Sequence, residues 1–328
     1  MKKRIEGIEP FSKFWFRSCF YHALLPIISY YKKDCLPIIL NELYTFNRKE
    51  GKLWPVAKTL FDYKQLLSAQ GLSEEKRRQS ENIRELIIKN INDNIPFILA
   101  VNSYYLNFRN DTYLKDHVVH YVCIHGYDDE AGTIDIIDHK YMGSYMYEYK
   151  TVPFANFLRA AAEFFYPDIK TTSGITVHKD KRFKDNVFIY RLKDCSARPQ
   201  IDLQLLYKKY GYYVSKSTQY IKKVINQMLI ELNGGFDSVD WKYYKEFFLI
   251  LSWQREAQKF IYIHYNENAV VEEITSFVNS ARFIWGVLEK TIWKKQIAPE
   301  SLEKLKSRLN MLINNQAKIG KRQNELFH

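Results

Sequence analysis

Apolar residues change their spacing twice along this chain, and each change marks a different kind of structure. Positions 18–25, Ser-Cys-Phe-Tyr-His-Ala-Leu-Leu, read as an N-cap serine opening an apolar helix, with Cys19 in its first turn. Pro26 is expected to kink or end that helix, since proline lacks an N–H. Helical spacing at 35–47 and 59–70 predicts two more helices, with breaks at Pro37 and Pro55. Ser73, Glu74 and Glu75 predict a capped helix start, with Ile83, Leu86, Ile87 and Ile91 as the apolar stripe and Asn92-Asp93-Asn94 as the stop. The continuous apolar run 97–101 has strand length and suits a sheet centre covered on both faces.

Two β-branched, alternating runs follow at 118–124 and 133–137, around the turn-rich segment 126–132. They predict an antiparallel pair, which places the start of one strand beside the end of the other. Further strands are expected at 141–149 and 187–190, with a helix at 154–165. Beyond Ala197-Arg198-Pro199 the pattern becomes long and helical, at 201–230, 239–263, 269–293 and 299–325. The fold class is therefore α+β: a domain at 1–197 with a central antiparallel sheet, then an all-helical bundle or cap at 198–328.

Composition narrows the function classes. Of the 328 residues, 46% are hydrophobic and 26% charged, which suits a packed globular chain. The net charge of +12 favours acidic partners, but it is spread. Runs such as Lys76-Arg77-Arg78 and Lys294-Lys295 read as solvated helix faces, and no nucleic-acid module accompanies them. Cysteines at 19, 35, 123 and 195 have neither zinc-site spacing nor disulfide density, so a reducing, cytoplasmic setting is expected. No apolar run reaches the roughly 18 residues of a membrane span, and no signal-peptide core follows Met1-Lys2-Lys3-Arg4.

The candidate chemistry lies in Cys19, His120 and Asp138. A cysteine in the first turn of a helix is acidified by the helix dipole, and an imidazole oriented by a carboxylate removes its proton for nucleophilic acyl transfer. On spacing alone a buried structural cysteine is the stronger reading. His117 rivals His120 as the base; three residues apart on a strand, they face opposite sides. His125 and His139 read as exposed, and the polar and aromatic loop 106–116 either lines the cleft or merely crosses the surface. No metal site is expected, because no further carboxylate or cysteine falls at ligand spacing.

Cysteine at a helix start, then a His-Val-Val-His strand, a Gly-Tyr-Asp turn and a strand-terminal aspartate, is similar to papain-like folds of the bacteriocin-processing peptidase type. Val101-Asn102-Ser103-Tyr104-Tyr105-Leu106, with Tyr113, His117, His120 and Gly126-Tyr127-Asp128-Asp129, resembles the N-terminal domain of the butirosin biosynthesis protein BtrH family across roughly residues 12–195. The resemblance implies a papain-like core and a transacylase that moves an acyl or peptidyl group from a carrier-protein thioester to a small amine, a diamine or amino sugar, without a cofactor. It favours His120 over His117 as the base and offers Asn102, Tyr104 and Tyr105 as substrate contacts, with His117 read as a core residue or a further substrate contact. The composition, rich in lysine, asparagine, isoleucine and tyrosine, suggests the branch that assembles closthioamide. Two positions depart from the family pattern: Lys13 stands where papain-like enzymes carry an oxyanion-binding glutamine, and Asn102 where family members carry aspartate. A cysteine peptidase or amidase, and an inactive helical partner-binding protein, are the alternatives.

Overall fold

Phe97–Asn102 is buried at all six positions, and the strands beside it explain why. The computed structural model describes residues 1–11, 19–49, 51–78, 82–139, 146–163, 188–194, 203–264 and 266–327. Lys13, Ser18, Cys195 and the 197–199 boundary lie outside them, as does most of the strand expected at 141–149. In chain order the elements begin β1 (Lys2–Arg4), α1 (Cys19–Tyr30), α2 (Leu36–Asn41), β2 (Glu42–Lys49), β3 (Lys52–Thr59), α3 (Tyr63–Ala69), β4 (Leu72–Arg78) and α4 (Ile83–Asn92). They continue with β5 (Phe97–Asn102), β6 (Val119–Asp128), β7 (Thr133–His139), β8 (Tyr147–Pro153), α5 (Phe154–Ala162) and β9 (Phe188–Asp194). Four long helices close the chain: α6 (Leu203–Asn233), α7 (Trp241–His264), α8 (Asn268–Lys294) and α9 (Pro299–Phe327). None of the described helices is long and apolar enough to cross a membrane.

The chain forms two compact units, Met1–Cys35 with Leu67–Gln200, and Leu36–Leu66 with Ile201–His328. The helical unit thus includes α2 and the β2–β3 hairpin from early in the sequence.

In the first unit the strands run β4-β9-β5-β6-β7-β8, with β1 beside the far half of β6, and every pairing is antiparallel. One core gathers α4 and α5 against Leu99, Val101, Val122, Ile124, Ile134 and Ile136. A ten-residue helix such as α4 is marginal alone, since isolated helices need about 12–15 residues. Burial of Leu86, Ile87 and Ile91 decides the matter, at about 1.5–3 kcal/mol per apolar side chain. The Asn82 side chain caps its first turn by accepting from Arg84 N at 3.1 Å.

A β-bulge shapes β6. The register passes from Ile124↔Ile136 to Gly126↔Asp135, so one extra residue enters the strand. Side-chain parity shifts by one, and Tyr127 joins Val122 and Ile124 in the same core. The segment expected to be turn from 126 onward is strand as far as Asp128, because β1 supplies ladder partners there. A Cβ at Gly126 would lie 2.7 Å from Asp135 Oδ2 and 3.1 Å from Lys3 O, so the bulge requires glycine.

Several local expectations are corrected. The helix read at 35–47 ends at Asn41 and becomes β2, and the region before Thr59 is β3, with Phe46 paired to Pro55 across a two-stranded ribbon. Residues 72–78 form an edge strand rather than a helix start, so Lys76-Arg77-Arg78 belong to a strand. The α1 helix continues through Pro26 to Tyr30. In the second unit, α7 packs on α8, and α8 and α6 pack on α9. Phe46 of the hairpin enters that core with Ile221 and Phe247, and Tyr243 donates to Leu53 O at 2.7 Å.

Candidate active site

Cys19 is the first residue of α1 and keeps partial solvent access. Its own N–H and the dipole of the helix face the start of the chain, where no intrahelical acceptor exists. The thiol hydrogen-bonds to His120 and to the Tyr121 backbone N–H. Burial alone would push the thiol up, but the neighbouring His120 charge and these two bonds outweigh it, and the pKa falls below the usual 9.0. Cys123 shows the contrast: fully buried without such partners, its thiol is pushed up and stays protonated. Cys35 is half-buried and donates to Leu25 O at 3.6 Å.

His120 and Asp138 are both buried, on one face of neighbouring strands β6 and β7. His120 Nε2 donates to Asp138 Oδ1 at 2.8 Å. With Nε2 committed to the carboxylate, Nδ1 is the ring nitrogen left for the thiol. Burial opposes the imidazolium and Arg109 opposes it further, yet Asp138 and the Cys19 thiolate raise the imidazole to about 9. Asp138 is raised by burial, but the charges and hydrogen bond of His120, with Arg109 and His139, bring it down to about 2. Its Oδ1 also accepts from His139 N at 2.6 Å. These directions describe a thiolate beside an imidazolium, with an ionised carboxylate behind it.

Arg109 went unrecognised in the sequence. It lies in the loop 106–116, and its Nη1 sits 3.1 Å from His120 Nε2 and 3.8 Å from Asp138 Oδ1. Because Nε2 already donates to the carboxylate, the Arg109 contact is an approach of two positive groups rather than a hydrogen bond. Asp111 holds the guanidinium from its other side, through Nε at 3.0 Å and Nη2 at 2.7 Å. The only sequence signal was a basic and an acidic residue two apart in an otherwise polar and aromatic loop. That loop therefore reaches the site.

Three further aromatic and imidazole groups stand beside the pair. Tyr147 hydrogen-bonds to His139 Nε2 at 2.9 Å, and His22 stacks on Tyr147 at 4.0 Å. His22 donates to Phe11 O at 3.3 Å, and burial lowers its pKa to about 3, so it is neutral. His139 is half-buried, whereas His125 is 1% exposed, against the expectation that both face solvent. Burial brings His125 down to about 4, and its ring lies 5.2 Å from that of Tyr149. Ligand atoms of His120, Asp138 and His139 fall within 4.8 Å of one another. The first two point at each other as donor and acceptor, the geometry of a hydrogen-bonded pair rather than of convergence on an ion.

The expected substrate contacts gather around Asn102. Its Nδ2 donates to His117 Nδ1 at 2.9 Å and to Glu163 O at 3.0 Å, while its Oδ1 accepts from Tyr104 N at 3.1 Å. Tyr104 stacks on His117 at 4.2 Å, and Tyr105 donates to the Glu163 carboxylate, which also accepts from Arg159 at 3.2 Å. His117 precedes β6 and binds Asn102, whereas His120 binds Asp138. The structure thus separates the two histidines into different networks.

No curated protein gives a significant match to the chain. Cys19 lies ahead of the segment that a family model recognises, whereas His120, Asp138, Arg109 and Asn102 lie within it. That segment, residues 63–139, is similar to the family model described as Butirosin biosynthesis protein H, N-terminal.

Proposed function

We propose that this protein is a cysteine-dependent acyltransferase of biosynthesis, which forms an amide by moving an acyl or peptidyl group from a carrier-protein thioester to a small amine. The observation that carries this reading is the Cys19 thiol bonded to His120, whose other nitrogen meets Asp138 at 2.8 Å. The match of residues 63–139 to a biosynthesis family supports the acyltransferase class.

In the first half-reaction the Cys19 thiolate attacks the thioester carbonyl carbon, and the carbonyl electron pair moves to oxygen. The N-terminal end of α1, through the Cys19 N–H, stabilises that oxyanion. Collapse breaks the carbon–sulfur bond of the carrier, and His120 gives its proton to the departing thiolate. In the second half-reaction the amine attacks acyl-Cys19, and neutral His120 takes the amine proton as the new carbon–nitrogen bond forms. Expulsion of the Cys19 thiolate releases the amide and restores the ion pair. Asp138 stays ionised throughout, orienting the ring and stabilising its charge. A diamine or amino sugar fits the acceptor role, and the Asn102 network is the assigned site of substrate contact.

Intact-protein mass spectrometry after incubation with an acyl-carrier thioester tests this. A mass increase equal to the acyl group, absent in Cys19→Ala and discharged as amide on adding an amine, is expected. An unchanged mass in the native protein would overturn the reading, and rapid peptide hydrolysis without an amine would reassign the site as a peptidase.

A further inference from the structure

We propose that a pocket in the helical unit, lined by Lys58, Leu60, Lys208, Lys209, Tyr212 and Tyr213, binds a phosphate ester. The cavity measures about 400 Å³ and has three ammonium groups, two phenols and no carboxylate in its lining. Lys58 comes from β3 and the others, apart from Leu60, from the first third of α6. Among the described residues none of these lysines forms an ion pair. Lys58 donates instead to the Tyr213 hydroxyl at 2.6 Å, Lys209 lies over the Phe61 ring at 4.3 Å, and nearby Lys216 over Tyr212 at 4.4 Å.

The charge arrangement calls for an anion. Between Leu203 and Ile230, α6 has five lysines and no acidic residue. Lys208 and Lys209 stand near its N-terminal end, where the helix dipole is already positive and acidic residues are favoured. Aromatic faces and a phenol are weak substitutes for a counter-ion. The accumulated positive charge is felt by Tyr213: the Lys58 hydrogen bond lowers its phenol pKa, and Lys209 and Lys216 act in the same direction. The second pocket of this unit differs, since Glu272 and Arg308 both line it.

Phosphate suits this lining better than carboxylate. Lysine acts as a point charge and serves phosphate oxygens from several directions, whereas planar carboxylates are matched by the arginine fork, and no arginine is present. Leu60 and the Tyr212 ring, 45% exposed, add apolar surface for an organic group attached to the phosphate. That phosphate can belong to a free small molecule or to the phosphodiester-linked arm of a carrier protein. Only the second source rests on the proposed acyl transfer.

Calorimetric titration of the full chain with inorganic phosphate and with coenzyme A tests the pocket. Coenzyme A is expected to bind more tightly than phosphate, and Lys208→Glu with Lys209→Glu is expected to weaken it by about tenfold or more. The pair Lys222→Glu and Lys223→Glu changes the net charge equally on the same helix and should leave binding within about twofold. Should the reversed pair lose its fold by circular dichroism, Lys208→Gln with Lys209→Gln replaces it with the same expectation of weakening. Equal losses in the pocket and control pairs, or no binding of coenzyme A, would overturn the proposal. Titration of one carrier protein with and without its phosphopantetheine arm separates the sources. Tighter binding of the armed form that depends on Lys208 and Lys209 assigns a carrier arm; equal binding, with coenzyme A still held, assigns a free phosphate ester. Cys19 acylation by a small-molecule thioester does not use the pocket, so the two proposals fail separately.

Discussion

His120 meets Asp138 at 2.8 Å across the β6–β7 pair, although 18 positions separate them in sequence. The register Cys123↔Ile137 explains this: His120 lies diagonally ahead of the strand end, on the same face as the aspartate. An amide cannot hold the imidazolium as the carboxylate does. Asp138→Asn is expected to lower the rate of acyl transfer by about 10²–10⁴-fold while the fold survives, as measured by single-turnover acylation and circular dichroism. A change of less than about tenfold would deny Asp138 its assigned part.

The lowered thiol and raised imidazole set a pH window. A thiol with a depressed pKa is thiolate above that value and is lost to protonation as pH falls through it; an imidazole raised to about 9 loses its proton as pH rises through that value. Acylation of Cys19 should therefore follow a bell, reaching its plateau below the ordinary thiol value of 9.0 and declining near 9. In His120→Gln, burial acts on the thiol without its cationic partner. The pH midpoint for alkylation of Cys19 by iodoacetamide should then move upward, and a midpoint that stayed in place would show that His120 does not acidify the cysteine.

Arg109 pushes the other way on the same imidazole. Removing its charge in Arg109→Gln should raise His120 further and carry the alkaline limb of the bell to higher pH, while Arg109→Lys restores the wild-type limb. A merely structural role would lower the rate without moving the limb. Asp111→Asn releases the guanidinium from its other partner and should move the limb downward, because the positive charge on His120's side is no longer offset.

Gly126→Ala tests the bulge. Asp135, the nearest obstacle, is fixed by Thr151 at 2.6 Å and Arg4 at 2.9 Å, so it cannot swing aside without breaking both. The expected cost is about 1–3 kcal/mol, read as a lower midpoint in urea with an unchanged slope. Wild-type stability in this variant would show that the strand relaxes there.

The four C-terminal helices were legible because their periodic patterns are long: the expected starts at 239, 269 and 299 lie within two residues of Trp241, Asn268 and Pro299. The strands bearing His120 and Asp138 were legible from alternation. Residues 72–78 were misread because Ser-Glu-Glu at the start of a polar run satisfies a helix cap equally well. At a sheet edge those charges are acceptable, and Glu75 finds Arg191 at 2.5 Å across the β4–β9 pair. No local pattern could reveal that partner, 116 positions away. Arg109 was missed for the same reason: its importance comes from where the loop folds, not from its neighbours in sequence. His125 was misplaced because the bulge that buries it is a property of the pairing rather than of the strand.

The assignment of Leu36–Leu66 to the helical unit has a consequence for biosynthesis of the protein itself. The β2–β3 hairpin leaves the ribosome more than about a hundred residues before α6 exists, an interval on the order of ten seconds at ordinary elongation rates. Phe46, buried in the helical core of the finished protein, has no bundle to enter during that time. The nascent ribbon therefore waits for α6 and α7, the helices that pack on it, rather than for completion of the sheet.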